Sequence, residues 1–450
     1  MKVCIISPDT VPLPLKDNPP EFITENGQEY LLKNKCLRTT GLGKRAWKLA
    51  EALSKENDFE VTLLVPDLNF PKGDFIDKSK LTFTIESYNF KAATWGWSEE
   101  LDKKLLKYDF VIVQSAAGTG FKNCSVLPGN INVIMDGFVP LFAELPCTIL
   151  GQSTISRKVF WESFRQQYLN LITRANCTLY ATDRQYYYYE GQFFATDKLN
   201  WKAFKFSPLL KVPLGVDAVE KVQKENTSTR LKLLWFGPIY PWYRPEKLLE
   251  IAPDLKNTDI DFIGVKHPRY GNTYNNFFKK FFESNSSSYN ITVSEDFVDD
   301  PAGLYTHYDA GIVLARDWLE EKYSVRGRIL DMISHGLPVI INENNSFFNE
   351  LRYIQDSIYP TSAHTLKRDI QRFETNKSLL TVSDRSHKLL QRNLSWSAIA
   401  SPLIEYIRRF SLDELEDHDI LDQKEGVYSQ TRDSEAMRLK KFITKNEITL

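Results

Sequence analysis

The chain alternates short apolar runs with longer stretches in which apolar residues recur at helical spacing. Runs typical of buried strands lie at residues 3–6, 61–65, 110–113, 131–135 and 177–181, and again at 231–236, 261–264, 310–314 and 338–341. Stretches typical of helices lie at residues 44–53, 245–251, 326–334 and 398–410. Strands that alternate with helices predict parallel sheets with helices on both faces, so the pattern indicates an α/β fold.

The series of strands and helices runs through the chain twice, and a charged stretch at residues 220–230 separates the two runs. This arrangement predicts two doubly wound, Rossmann-like domains of similar size. We place the N-terminal domain at residues 1–217 and the C-terminal domain at residues 218–396. The helix at about 397–410 is expected to pack back onto the first domain, and residues 411–450 form a tail that begins acidic and ends basic.

Composition narrows the class of protein further. The 450 residues are 42% apolar and 26% charged, which is ordinary for a globular protein. Lys and Arg total 57 against 58 Asp and Glu, and the resulting net charge of −1 argues against a nucleic-acid scaffold. The 5 cysteines are widely spaced and include no CxxC pair, which disfavours a zinc site or a disulfide framework. No apolar run reaches the roughly 18 residues of a transmembrane helix, so we expect a cytoplasmic protein.

Two turns that contain glycine stand where α/β proteins bind ligands. Gly41 and Gly43 lie directly before a predicted helix, where free N–H groups attract phosphate and missing side chains allow close approach. A plain turn at a helix start is the alternative. Gly237 ends the first strand of the second series and opens an aromatic turn that leads to Pro245 at a helix start. This is the first βα turn of a Rossmann-like domain, although its aromatic residues could simply cover the end of the sheet.

Arg326 and Arg328 fall in the first turn of a predicted helix, where positive charge opposes the helix dipole. The placement is explained if the two guanidinium groups bind a diphosphate. A surface salt bridge to Glu320 or Glu321 is the alternative. If the diphosphate interpretation holds, replacing Arg326 by alanine should leave the unliganded protein as stable as before.

The remaining motifs offer little to metal or imidazole chemistry. Asp259 and Asp261 form a DxD motif, but it leads into a strand with no supporting ligands nearby, so we interpret it as the entrance of that strand. All 6 histidines lie at or beyond His267, so the N-terminal half offers no imidazole base. No Ser-His-Asp order, Walker loop or HExxH motif is present.

Taken together, these blocks resemble glycosyltransferase family 4 proteins of the GT-B fold. The resemblance is scattered over residues 130–340, and its order and spacing are more specific than any single block. The matching stretches are residues 133–136 with Pro140 and Glu144, residues 181–185 with Gly191, and residues 212–217, 233–249, 264–268 and 321–339.

The resemblance implies an enzyme that transfers a sugar from a nucleotide-diphosphate sugar to a hydroxyl acceptor, with retention of configuration, in glycan or glycoconjugate biosynthesis. The donor would lie in the cleft between two facing Rossmann-like domains, and helix N-termini and arginines would stabilise the departing diphosphate without a metal. No cofactor and no nucleic-acid partner are implied. The acceptor would be a carbohydrate, a lipid-linked molecule or a small molecule, and a transient membrane contact stays open.

The same resemblance implies roles for particular residues. It places Gly237 near the donor diphosphate, with Gly41 and Gly43 facing that pocket from the other domain. The residues that would line the donor pocket are Lys266, Glu321, Arg326, Arg328 and Asp331. The residues implied in the catalytic step are Glu321, together with Asp136 and Glu144 as groups that contact the acceptor hydroxyl.

Three departures from the family pattern keep other functions open. Pro238 stands where many relatives carry a second glycine, and the N-terminal half lacks the usual histidine. Tyr323 and Asp331 stand where the family's acidic motif has two glutamates. The alternatives are a catalytically silent GT-B protein that binds nucleotide sugars, and a GT-B sugar-nucleotide epimerase that acts on the donor alone.

Overall fold

A computed structural model of the chain describes residues 1–14, 16, 22–25, 28–31, 40–67, 76–90, 98–115, 120–148, 153–196, 198, 208–225, 228–265, 290–295, 298 and 301–411. Lys266, the tail from residue 412 and most of residues 15–39 lie outside this set. The chain divides into two compact units. The first comprises Met1–Tyr180, Tyr186–Val212 and Ala400–Leu450, and the second comprises Ala181–Gln185 and Pro213–Ile399. Residues 181–185 and 213–217 thus belong to the second unit, whereas the sequence pattern places them in the N-terminal domain.

The first unit contains nine described strands. They are β1 (Lys2–Ile6), β2 (Phe22–Glu25), β3 (Gln28–Leu31), β4 (Glu60–Pro66), β5 (Thr84–Tyr88), β6 (Phe110–Gln114), β7 (Asn132–Asp136), β8 (Cys177–Tyr180) and β9 (Leu209–Lys211). β2 and β3 pair as an antiparallel hairpin. The other seven form one parallel sheet in the order β5-β4-β1-β6-β7-β8-β9.

The helices that accompany this sheet are α1 (Gly41–Leu53), α2 (Glu99–Leu105), α3 (Phe121–Cys124), α4 (Leu141–Thr148), α5 (Thr154–Arg174) and α6 (Asp183–Ala195). The middle strands β1, β6 and β7 are buried along nearly their whole length, as uninterrupted apolar runs predict for parallel strands covered on both faces. A continuous apolar core joins these strands to α3, α5 and α6 through Phe121, Tyr168 and Phe193.

The second unit repeats this plan with six strands and seven helices among its described residues. The elements are β10 (Leu231–Phe236), α7 (Pro245–Ile251), β11 (Thr258–Ile263), β12 (Ile291–Ser294), α8 (Pro301–Tyr305), β13 (Ala310–Val313), α9 (Leu319–Tyr323), α10 (Gly327–Ser334), β14 (Val339–Asn342), α11 (Ser346–Glu350), β15 (Ile358–Thr361), α12 (Leu366–Thr375) and α13 (Asp384–Leu394). All strand pairs are parallel, in the order β12-β11-β10-β13-β14-β15. Short 3₁₀ helices lie at Lys78–Lys80, Ala252–Asp254, Arg352–Ser357 and Lys377–Leu379.

The last described helix, α14 (Trp396–Ser411), begins in the second unit and ends in the first. Within the first unit, Arg408 pairs with Glu56 at 2.6 Å and with Asp58 at 2.9 Å. The ring of Phe410 packs edge-on against Phe110, with the ring centres 6.1 Å apart. These contacts fix the C-terminal half of α14 on the first unit.

Both sheets have the strand order of a Rossmann fold, and this order locates the ligand crevice. The order reverses between β1 and β6 in the first unit and between β10 and β13 in the second. Open α/β sheets bind ligands beyond the carboxyl ends of the strands at such a switch point. The predicted pair of doubly wound α/β domains is confirmed, and a ligand site of the second unit is expected beyond the carboxyl ends of β10 and β13.

Candidate functional site

The turn after β10 lies at the switch point of the second sheet. Gly237 has a φ of +87°, in the left-handed region that favours glycine, and it turns the chain away from the strand. Further along, Tyr243 forms an antiparallel bridge with Ala315, and the Arg244 N–H donates to the carbonyl of Leu314 at 2.9 Å. Backbone bonds therefore fix this turn against the segment that follows β13.

Arg328, the second residue of α10, reaches this turn. Its Nη2 donates to the carbonyl of Pro238 at 2.8 Å, and its guanidinium carbon lies 4.6 Å from the centre of the Tyr243 ring. A Cβ on Gly237 would touch that carbon at 3.4 Å, so the guanidinium packs directly over the glycine. Among the described residues no carboxylate pairs with Arg328, and its buried Nη1 has no hydrogen-bond partner. The turn thus presents a half-buried cation with an unused donor, which is what an anion requires.

Arg326 lies two residues earlier and is arranged differently. It is the N-cap residue of α10 and only 5% exposed. Glu320 accepts hydrogen bonds from both of its terminal nitrogens at 2.6 and 2.5 Å, and Glu321 accepts a third at 2.6 Å. Burial alone would lower the pKa of Arg326, but the charges of these two glutamates outweigh it and raise the pKa well above its ordinary value. The salt bridge that the sequence leaves open as an alternative is therefore present, and it is buried rather than on the surface.

Glu321 belongs to the same buried cluster. Its side chain is 3% exposed, one oxygen accepts from Arg326, and the other accepts from Asn345 Nδ2 at 2.7 Å. Burial raises the pKa of Glu321, and the Arg326 charge and the hydrogen bonds oppose that rise. Both oxygens are occupied and the side chain is almost fully enclosed, so these contacts account for Glu321 without a substrate, and its role in the catalytic step stays a prediction. Its observed contacts lock α9 to α10 and to the segment before α11.

Asp331 lies on α10 three residues after Arg328, a spacing that places both on one face of the helix. Its Oδ2 accepts a hydrogen bond from the Tyr305 hydroxyl at 2.6 Å, and the side chain is half-buried. The ring of His335, one turn further along, packs against the Tyr305 ring with centres 5.4 Å apart. Arg328 and Asp331 therefore present a cation and a carboxylate along one side of α10.

The same region contains several buried N–H groups that have no acceptor among the described residues. Besides Arg328 Nη1, the buried atoms Trp242 Nε1, Arg244 Nε and Arg326 Nε have no hydrogen-bond partner in the described part of the chain. Native proteins satisfy the great majority of their buried polar atoms. Four such donors in one turn and the helix beside it favour a ligand rich in acceptor oxygens.

In the first unit, Asp136 at the end of β7 forms an ion pair with Arg45 of α1. Arg45 Nε and Nη2 donate to the two carboxylate oxygens at 2.8 and 2.9 Å, and neither side chain has exposed surface. Arg45 Nη2 also donates to the carbonyl of Val212 at 2.9 Å, and its guanidinium lies over the Phe138 ring. These contacts account for the buried carboxylate of Asp136 without a substrate, and its contact with the acceptor stays a prediction.

The two glycines at the start of α1 differ in their surroundings. A Cβ on Gly43 would lie 1.7 Å from the carbonyl oxygen of Thr10, because the chain that leaves β1 crosses the helix at that point. A Cβ on Gly41 would meet nothing within 4 Å. Thr40 caps the helix and accepts from the Gly43 N–H at 3.2 Å. Close packing of the chain explains Gly43 without a ligand, and a donor contact by either glycine stays a prediction.

Two more predicted site residues, Glu144 and Lys266, have no role that the described contacts assign. Glu144 lies half-buried on α4, where its N–H donates to the carbonyl of Pro140 at 3.2 Å. Lys266 lies outside the described residues. Their proposed contacts with the acceptor and the donor stay predictions.

The DxD motif is occupied by structural contacts, as its interpretation as a strand entrance requires. It lies in β11, where Asp259 pairs with Arg230 at 2.8 Å and Asp261 accepts from the Tyr308 hydroxyl at 2.8 Å. Within the described ranges, no group of three or more His, Cys, Asp or Glu side chains is arranged to hold a metal ion.

Sequence reasoning did not single out Arg45 or Tyr243. A signal for Arg45 existed, because it stands among the buried positions of an apolar helix face, and a charged residue there needs a partner. Tyr243 lies within the aromatic turn that the sequence marks as a ligand-binding position. Its contacts with two arginines depend on how α10 packs, which no local pattern encodes.

Several solved structures share this fold over nearly the whole chain. Sucrose-phosphate synthase from Thermosynechococcus elongatus has a TM-score of 0.62 at 13% identity, covering 91% of this chain and 99% of its own. HepE from Anabaena, solved in complex with UDP and glucose, has a TM-score of 0.58 at 11% identity, covering 91% and 100%. AviGT4, a glycosyltransferase involved in avilamycin A biosynthesis, has a TM-score of 0.52 at 14% identity, covering 91% and 97%. The chain therefore has the GT-B fold, with two Rossmann-like domains.

No protein-family model and no curated protein sequence matches the chain. In the described ranges, none of the helices is both long enough and apolar enough to span a bilayer.

Proposed function

We propose that the protein is a glycosyltransferase that uses a nucleotide-diphosphate sugar and binds the donor diphosphate at the turn after β10. The observation that carries this proposal is Arg328, a half-buried cation with no carboxylate partner among the described residues and with an unused Nη1 donor. It lies at the switch point of the second sheet, where this architecture binds ligands.

The chemistry of the transfer matches these groups. When the sugar departs, negative charge develops on the leaving diphosphate, and a fixed cation with preorganised donors stabilises that charge. Arg328 supplies the cation, and the unsatisfied donors of Trp242 and Arg244 lie in the same turn. Asp331 lies on the same side of α10, and in this proposal its carboxylate accepts from hydroxyl groups of the nucleotide or the sugar.

The structural relatives support this class of substrate. HepE was solved with UDP-glucose bound, at a TM-score of 0.56 and 12% identity to this chain. We therefore propose a uridine or related nucleoside diphosphate donor with a hexose, transferred with retention as in the family 4 proteins that the sequence resembles. The acceptor is a hydroxyl group of a carbohydrate, a lipid-linked molecule or a small molecule, and the protein works in the cytoplasm with at most a transient membrane contact.

A nucleotide-sugar-binding protein without turnover is the second candidate. Two of the three carboxylates predicted to act in catalysis, Asp136 and Glu321, are buried and fully engaged with arginines and Asn345. Glu144 is the member of that set that is only half-buried.

Turnover separates the two candidates. The full-length protein should be incubated with a panel of radiolabelled nucleotide sugars, and release of sugar to water or to simple glycoside acceptors should be followed over hours. Turnover of at least one donor, lost in Arg328→Ala and retained in Arg352→Ala, is the expected result. Arg352 is a matched control because it is exposed and contacts Asn349 on its own segment. Tight nucleotide binding with no release of sugar would favour the binding protein, and no binding of any nucleotide would reject both.

A further inference from the structure

We propose that Tyr243 is a positioning residue that holds Arg328 by its aromatic face and so keeps the edge of the guanidinium available to a phosphate oxygen. This inference rests on the proposed function, because it concerns the donor-binding arginine.

The ring of Tyr243 is held in place by its own backbone and by a neighbouring ring. Tyr243 is 3% exposed, and its backbone is fixed by the bridge to Ala315 and by a hydrogen bond from its N–H to the carbonyl of Tyr240 at 3.0 Å. The ring packs edge-on against Trp235 of β10, with centres 5.6 Å apart and planes at 86°. These contacts with β10, with Ala315 and within the turn fix the ring, so an arginine can pack on it in one position.

Two guanidinium groups pack against the Tyr243 ring, and they differ in their other partners. Arg326 lies 5.0 Å from the centre of the Tyr243 ring and Arg328 lies 4.6 Å from it. Both terminal nitrogens of Arg326 donate to Glu320 or Glu321, so its charge is neutralised and only its Nε has no partner among the described residues. Arg328 contacts the Tyr243 ring and donates to the carbonyl of Pro238, and its Nη1 has no hydrogen-bond partner among the described residues.

The physical difference lies in which part of the guanidinium each partner occupies. A carboxylate binds the N–H groups at the edge of the planar guanidinium, which are the groups that a phosphate needs. An aromatic ring attracts the cation through its face and leaves the edge free. Tyr243 can therefore fix Arg328 in the unliganded protein without competing with the anion, and fixing it in advance removes an ordering cost from donor binding.

The alternative role for Tyr243 is packing alone, since it is buried against Trp235. The two roles separate in the conservative variant and in a double-mutant cycle. Tyr243→Phe keeps the ring and its face, whereas Tyr243→Leu and Tyr243→Met keep apolar volume without the ring. Phe373→Leu is the control for loss of a buried aromatic side chain elsewhere in the same unit. Phe373 packs on Tyr359 of β15 and is not part of the turn after β10.

The measurement is calorimetric affinity for UDP and for inorganic pyrophosphate, beside the melting temperature of the unliganded protein. We expect Tyr243→Phe and Phe373→Leu to bind within about twofold of wild type, and Tyr243→Leu to bind about five- to tenfold more weakly, a loss no larger than that of Arg328→Ala. In the Arg328→Ala background, Tyr243→Leu should weaken binding no further, because its effect runs through that arginine.

Three results would overturn the inference. These are unchanged affinity in Tyr243→Leu, full additivity of the two substitutions, or loss of folding in both the Leu and Met variants, which would assign the ring to the core alone. Failure of the proposed function has a different signature. In that case the wild type binds pyrophosphate, and Tyr243→Leu weakens pyrophosphate binding while Tyr243→Phe does not. UDP and other nucleoside diphosphates then bind no better than pyrophosphate.

Discussion

Arg45 and Asp136 form an ion pair with two hydrogen bonds, at 2.8 and 2.9 Å, in which neither side chain has any exposed surface. The pair joins α1 to the carboxyl end of β7, and the third bond of Arg45 joins both to the carbonyl of Val212. Removing one member of such a pair leaves the other charge buried without compensation.

Asp136→Ala should therefore lower the free energy of unfolding by about 3–5 kcal/mol. The paired replacement Arg45→Met with Asp136→Leu should cost less than Asp136→Ala, since it leaves no buried charge. Urea denaturation of the three proteins measures this. A stable Asp136→Ala protein that has lost only turnover would contradict the structural role and would support the predicted role of Asp136 in the catalytic step.

Arg326→Ala should destabilise the unliganded protein by a similar amount, about 3–5 kcal/mol, because it leaves Glu320 and Glu321 buried side by side. The sequence alone leads to the opposite expectation, that the unliganded protein stays as stable as before. The reason for the difference is that a helix-dipole argument considers the helix by itself, whereas the counter-ions come from α9. Thermal melting of the Arg326→Ala and Arg328→Ala variants tests the predicted destabilisation, and a large loss of stability is expected in Arg326→Ala only.

Glu321 should make stability depend on pH in a definite direction. Burial raises its pKa in the folded protein above the ordinary value of 4.5, so the folded state holds a proton that the unfolded chain has already lost. The contribution of this group to the free energy of unfolding therefore rises as the pH falls through the folded pKa, and it is complete below the unfolded pKa. In Glu321→Gln this contribution is absent.

The difference in free energy of unfolding between wild type and Glu321→Gln should consequently shift in favour of wild type between neutral pH and a pH near 4.5, the ordinary pKa of a glutamate. Urea denaturation at both pH values gives the difference, and Glu343→Gln, at an exposed position, is the control. A difference that is constant with pH, or that shifts towards the variant on acidification, would contradict the burial argument.

Gly41 and Gly43 form a matched pair for testing whether the start of α1 is built by packing. Gly43→Ala places a methyl group on the carbonyl oxygen of Thr10 and should cost about 1–3 kcal/mol or more. Gly41→Ala meets no neighbour and should be neutral or stabilising by about 0.4–1 kcal/mol. The melting temperatures of the two variants measure these effects. Equal effects of the two substitutions would show that the contact with Thr10 is not the reason for glycine at position 43.

The sequence predicts the framework of this protein better than its contacts. The central strands β1, β6 and β13 are almost entirely apolar and β10 is interrupted only by Lys232, so all four are visible in the sequence. The glycine after β10 correctly marks the turn at the switch point. The edge strand β5 reads Thr-Ile-Glu-Ser-Tyr and is only partly buried, so its apolar signal is weak.

The candidate site is harder to predict for a different reason. Asp136 and its partner Arg45 are separated by 91 positions in the chain, and no local pattern records that distance. Asp136 at a strand end therefore resembles a substrate-binding carboxylate until the fold brings the arginine to it. Arg326 and Arg328 look equivalent in the sequence, and only the packing of α9 and of the turn after β10 distinguishes a neutralised arginine from an available one.

Donor binding by Arg328 is the central claim, and calorimetry tests it most directly. UDP, GDP, ADP and dTDP should be titrated into the wild type, Arg328→Ala and the control Arg352→Ala, with melting temperatures measured beside them. We expect that one nucleotide binds the wild type and Arg352→Ala equally, that Arg328→Ala binds it about tenfold more weakly or worse, and that all three proteins are equally stable. Equal affinity in Arg328→Ala and wild type, or no binding of any nucleoside diphosphate to the wild type, would contradict it.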